Sequence, residues 1–117
     1  RRTHTVTRAF RAVAGAAMED LGTLGGEDSR ATAINSQGDI VGTSSLGTDK
    51  WGYSTGSAPF LYPASGGGML NLESLIVNPI ALEFVADEIS GSGVIAGKTV
   101  NVEFDQPRPI VILTPLP

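Results

Sequence analysis

Residues 33–42 read Ala33-Ile34-Asn35-Ser36-Gln37-Gly38-Asp39-Ile40-Val41-Gly42, and residues 88–97 read Glu88-Ile89-Ser90-Gly91-Ser92-Gly93-Val94-Ile95-Ala96-Gly97. In the first stretch an Asn, whose side chain can bond the backbone two residues on, and a Gly able to take positive φ stand between apolar runs. This is a β-hairpin pattern. The second stretch repeats it 55 residues later, with Gly91 and Gly93 in the turn. A hairpin written twice predicts a chain built from a repeated strand unit.

The same duplication runs outward in both directions. Arg8-Ala9-Phe10-Arg11-Ala12-Val13 is echoed by Ala58-Pro59-Phe60-Leu61-Tyr62-Pro63 and by Arg108-Pro109-Ile110-Val111-Ile112-Leu113, which aligns Phe10, Phe60 and Ile110 at a spacing of 50. Met18-Glu19-Asp20-Leu21-Gly22-Thr23-Leu24 is matched by Met69-Leu70-Asn71-Leu72-Glu73-Ser74-Leu75 at 51. The drift in spacing places short insertions in loops, where added length costs little.

The expected fold is all-β: a single domain over residues 1–117, with repeat 1 at about 6–50, repeat 2 at about 57–105 and a closing strand at 108–114. Each repeat reads as an antiparallel four-stranded unit. The first unit's strands are placed at 6–13, 17–21, 29–34 and 39–44, the second's at 58–62, 69–72, 82–89 and 94–104. The units are either propeller-blade-like sheets or a sandwich-like pair. Closed propellers use about four to eight blades, which favours two facing sheets with exposed ends. No segment predicts a helix, since Gly15 interrupts the Ala-rich run from Arg8 to Met18. Pro59 and Pro109 cannot donate to a ladder and are expected at strand starts or on an edge.

Composition narrows the function classes. Fifteen Gly and seven Pro among 117 residues describe many tight turns. The formal charge is −4, so the chain as a whole has no electrostatic reason to seek phosphate backbones, and no nucleic-acid partner is expected. Arg1, Arg2, Arg8 and Arg11 gather near the start, where they keep a strand soluble. Cysteine is absent and His4 is the one histidine, so neither a metal nor another cofactor is expected. No run approaches the ~18 apolar residues of a membrane helix, and no span is expected.

Beyond these readings, one pattern is familiar. Met18-Glu19-Asp20-Leu21-Gly22-Thr23-Leu24-Gly25-Gly26, followed by Ser29, Ala31, Ala33-Ile34-Asn35, Gly38, Ile40-Val41-Gly42 and Ala58-Pro59-Phe60-Leu61-Tyr62, resembles the HAF repeat of bacterial extracellular proteins. The eponymous His-Ala-Phe stands here as Arg8-Ala9-Phe10 and Ala58-Pro59-Phe60, so both copies depart at the first position, and the second unit lacks the Gly-Gly pair. The resemblance implies secretion to the bacterial exterior or cell surface and a repeated β-sheet, for which a propeller-like arrangement is one form. It brings no catalytic residues with it.

Candidate chemistry is sparse. Gly52-Tyr53-Ser54-Thr55-Gly56 matches the G-x-S-x-G string, yet a strand follows it, where a serine hydrolase has a helix. Asp20, Glu27 and Asp28 could offer oxygens to calcium, but lack the spacing of a calcium loop. Glu83, Asp87 and Glu88 form a second acidic group, with 83 and 87 on one strand face and 88 opposed, and no evident cleft between them. Trp51 and Tyr53 share one loop and could contact a sugar or protein, or cap the core.

Three functions follow from these readings. The first is a non-enzymatic, self-assembling structural protein whose assembly strand, Arg108 with Ile110, Val111, Ile112 and Leu113, begins a third unit and must lie beside a sheet edge of this chain or of a neighbour, giving a homo-oligomer or filament. The second is a surface module that binds a glycan or protein through Trp51 and Tyr53. The third is a small hydrolase using Ser54 or the Glu83 and Asp87 pair.

Overall fold

The structure is a computed structural model, and it describes residues 6–51, 55–76, 84–99 and 110–115. It is built of antiparallel strands with almost no helix, as the turn-rich sequence predicts. Strand β1 (Ala9–Arg11) pairs with β2 (Glu19–Gly22). Strands β3 (Ser29–Ile34), β4 (Ile40–Ser45), β5 (Ser57–Tyr62) and β6 (Leu70–Asn71) form a four-stranded sheet in chain order. Strands β7 (Phe84–Ile89), β8 (Ile95–Thr99) and β9 (Ile110–Leu113) form a three-stranded one.

This grouping differs from the expected pair of four-stranded units. The four-stranded sheet takes its first two strands from the end of repeat 1 and its last two from the start of repeat 2. Sequence repeat and sheet are half a unit out of phase. Strand β4 is buried along most of its length, so the backbone groups on both its edges need partners, and β3 and β5 supply them, β5 over six paired residues. Repetition in a sequence marks a period and leaves the starting point of the folded unit open.

Two of the hairpins share one pairing register. In β3–β4, Ala31 faces Gly42 and Ala33 faces Val41, with Thr32 bulged between them. In β7–β8, Ala86 faces Gly97 and Glu88 faces Ala96, with Asp87 bulged at the matching place. A Cβ on Gly42 would strike the carbonyl oxygen of Arg30, and one on Gly97 would strike that of Val85, its counterpart. Only glycine fits where the bulge presses one backbone on the next. Likewise Phe10 faces Asp20 as Phe60 faces Asn71.

One alignment is corrected. Phe60 lies opposite Gly42, but the residue opposite Gly97 is Val111, so β9 is displaced by one position from the Phe10, Phe60, Ile110 alignment. A shared proline suggested that alignment, whereas the ladder is set by the close approach at glycine. Pro59 also departs from its expected place, because it lies inside β5, a central strand. Strand β6 stops at Asn71, so beyond the Phe60 pair the chain has already turned away from Pro59. Pro109 and the parts of the predicted strands at 82–83, 100–104 and 108–109 lie outside the described residues.

Among the described residues the single helix is α1 (Leu72–Leu75), one turn where the sequence predicted only the end of a strand. Asn71 caps it, its Oδ1 accepting the Glu73 N–H at 2.9 Å. In the first copy Asp20 accepts the Gly22 N–H at 2.8 Å in the same way, but Gly22 then takes φ of 81° and leads the chain elsewhere. A glycine exchanged for a glutamate decides between turn and helix.

The three sheets stack in series through two interfaces. Alternation along β4 sends Ile40 one way and Val41 the other. Ile40, Phe60 and Tyr62 pack with Ala9 and Leu21 of the first sheet, while Val41 and Leu72 pack with Phe84, Ala86 and Ile95 of the third. Leu21 and Leu72 align in sequence, as do Ile40 and Ile95, and each core holds one member of both pairs. Burying a side chain such as Phe60 contributes about 2–3 kcal/mol.

Candidate functional site

Polar bonds fix the sheets to one another, and they differ between the two interfaces. At the first, the buried Ser29 hydroxyl accepts the Ala9 N–H at 2.9 Å and donates to the Gly22 carbonyl at 2.6 Å. Arg11 holds Glu19 at 2.8 Å and lies 5.4 Å from the centre of the Tyr62 ring, whose hydroxyl donates to Glu19 at 2.9 Å. The Arg11 guanidinium, and then the Tyr62 hydroxyl, hold the Glu19 carboxyl below its ordinary range, and the same carboxylate pushes the Tyr62 phenol up.

At the second interface the bulged Thr32 donates from its hydroxyl to Ala86 O at 2.7 Å. The predicted hairpin turn contributes as well. Asn35 Oδ1 accepts the Gln37 and Asp39 N–H groups, as an Asx turn requires, while its Nδ2 donates across to Ser90 O at 2.9 Å. Asp39 accepts from Ala64 N–H and from Asn35, and these two bonds, in that order, lower its carboxyl. The two equivalent turns therefore meet, Asn35 against Ser90.

Against this ordered interior, one face is left open. Phe60 is 0% exposed, yet its counterpart Phe10 is 54% exposed. Ala86 is buried, yet its counterpart Ala31 is exposed. Both exposed members line one groove, together with Arg11, Ala12, Ala33 and Ile34. Among the described residues β1 pairs only with β2, so no strand lies beside Phe10 in the way that β4 lies beside Phe60.

At the far end, the predicted assembly strand docks on its own chain. It covers 110–113 and pairs with β8, Ile112 facing Ala96 and Leu113 facing Ile95. Leu113 packs against the second core, Ile112 is exposed, and no described strand takes the outer edge of β9. Arg108 lies outside the described residues.

The remaining candidates are dispersed. Trp51 is 71% exposed, with the Lys50 ammonium 4.7 Å from its ring centre. Tyr53, Ser54, Glu83, His4, Arg1 and Arg2 lie outside the described residues. Asp20 accepts from Gly22 and lies 3.6 Å from Arg8, while Asp28 accepts the Thr7 N–H at 2.7 Å. Asp87 bonds Lys98 at 2.9 Å, and because it is the extra residue of a bulge, the expected alternation of 83 and 87 against 88 does not run through it. Sequence reading missed Phe10, Ala31 and Thr32. The signal was present, since comparing repeat counterparts singles out all three, but only burial shows that the counterparts differ.

Compared with known proteins, the chain matches no family model, no curated protein and no solved structure.

Proposed function

We propose that this chain is a non-enzymatic structural protein that assembles with itself through unfinished sheets, the sheets being successive propeller-like blades. The exposure of Phe10 beside the groove supports this reading. The molecule contains the covered form of the same position at Phe60, so the open form is a site with a known complement. An exposed aromatic next to a strand edge invites a further strand. The sequence resemblance to HAF repeats supports a location outside the bacterial cell or on its surface.

Sedimentation velocity over a hundredfold range of concentration tests the proposal. The expected result is a mass that rises from one chain to a defined multiple. A single-chain mass throughout removes it.

Trp51 supports a second reading, in which its loop, with Tyr53, contacts a glycan or protein. An exposed indole with a cation beside it suits such contact. Retention on immobilised cell-surface glycan is expected to disappear in Trp51→Ala and Tyr53→Ala, and unchanged retention removes this reading.

A further inference from the structure

We infer that a second copy of this chain completes the first sheet by strand exchange: its β8 receives the β1–β2 hairpin of the first copy in the place its own β9 occupies. This deepens the assembly reading and rests on it. The argument comes from equivalence within the molecule. Strand β9 stands to β8 as β5 stands to β4, each laid opposite the glycine of the bulged hairpin. Strand β1 is the sequence counterpart of β5, because Phe10 and Phe60 hold the same register against β2 and β6. Thus β1 and β9 are rivals for one kind of edge, and β1 brings β2 with it.

The exchanged sheet has the order β7, β8 of one copy, then β1, β2 of the other. Its register follows from β4–β5: Phe10 lies opposite Gly97 as Phe60 lies opposite Gly42, and Arg11 lies opposite Ala96 as Leu61 lies opposite Val41. The β7–β8 hairpin of the receiving copy then fills the groove lined by Ala31, Ala33 and Ile34 of the copy that donates β1 and β2. Ala96 takes beside Ala31 the part that Val41 plays beside Ala86. Each copy thereby contributes one sheet of its own and half of two shared ones, two blades per chain, so a closed ring of about four to eight blades contains two to four copies.

One substitution in the repeat bears on strength. Asp87 occupies the bulge position of Thr32, and a carboxylate cannot donate to the Ala31 carbonyl as Thr32 donates to Ala86. Asp87→Thr restores the donor. It is expected to tighten assembly roughly fivefold to tenfold, the effect of one net hydrogen bond, and weaker assembly counts against the exchange.

Disulfide trapping provides the main test, because the chain has no cysteine of its own. Residues paired across a ladder lie within disulfide reach. Arg11→Cys and Ala96→Cys, made in separate chains, mixed and oxidised, are expected to form the mixed dimer at least about tenfold more readily than Arg11→Cys with Lys98→Cys, two residues out of register. Ala96→Cys with Ile112→Cys in one chain locks β9 on β8. This lock is expected to abolish assembly when oxidised and permit it when reduced. Hydrogen exchange on the unmodified chain provides a readout without substitution: residues 9–11 gain protection with concentration while 110–113 lose it. If the oxidised lock still assembles, or protection of 110–113 is unchanged, exchange is overturned while assembly by another edge stands. If every species is a single chain, both proposals fall.

Discussion

Phe10 and Phe60 have the same neighbours in sequence register, yet one is half in solvent and the other is sealed. Around Phe60 the chain supplies β4, whose Gly42 leaves room for the ring, and the first sheet covers that face. Beside Phe10, among the described residues, β2 is the one strand paired to β1. The comparison separates two properties that sequence similarity joins. Pairing register is local and survives wherever the pattern recurs, whereas burial depends on what is stacked on either side.

The largest expected effect lies in the phenylalanines themselves. Phe60→Ala empties the first core and is expected to cost about 3–5 kcal/mol in urea unfolding. Phe10→Ala in the single chain is expected to cost well under about 1 kcal/mol, as a surface change does. Equal losses would break the comparison.

A smaller effect distinguishes the two interfaces. Ser29→Ala leaves the Ala9 N–H and the Gly22 carbonyl without their partner and is expected to cost about 1–3 kcal/mol. Its counterpart Phe84 carries no such bond and contributes through apolar contact instead. Thr32→Val, which removes the donor to Ala86, is expected to cost about 1 kcal/mol. Selective loosening of residues 84–89 in hydrogen exchange would locate that effect at the second interface.

The smallest effect is electrostatic. The Glu19 and Asp39 carboxyls are lowered in the folded chain, so their contribution is present above their unfolded values and is lost as pH falls through the folded ones. Stability is therefore expected to decline from about pH 4.5 downward. Glu19→Gln and Asp39→Asn should each flatten the decline. The turn comparison sharpens this: Val94 stands where Asp39 stands in the first copy, so the second turn carries no such pH dependence.

Much of the strand pattern was legible before the structure. The hairpin at Asn35–Gly38 and the strand Ser29–Ile34 follow from an Asx-forming residue, a glycine and flanking apolar runs, all interactions within a few residues. The single turn of α1 was not legible, because Asn71-Leu72-Glu73 differs from Asp20-Leu21-Gly22 by a glycine whose consequence depends on where the chain must go next. The bulge at Thr32 was equally hidden. Its only trace is a glycine, Gly42, which reads as an ordinary small residue until Arg30 is seen to press on it.

The sequence by itself determined the all-β class and the turn at Asn35–Gly38, because dihedral preference and alternating polarity act over a few residues. Tertiary structure alone decided which half-units join into one sheet, that β9 lies one residue away from its apparent alignment, and that Phe10 is open while Phe60 is closed. Those outcomes depend on long-range pairing and on the order of stacking, and identical local patterns cannot distinguish a stacked position from an end.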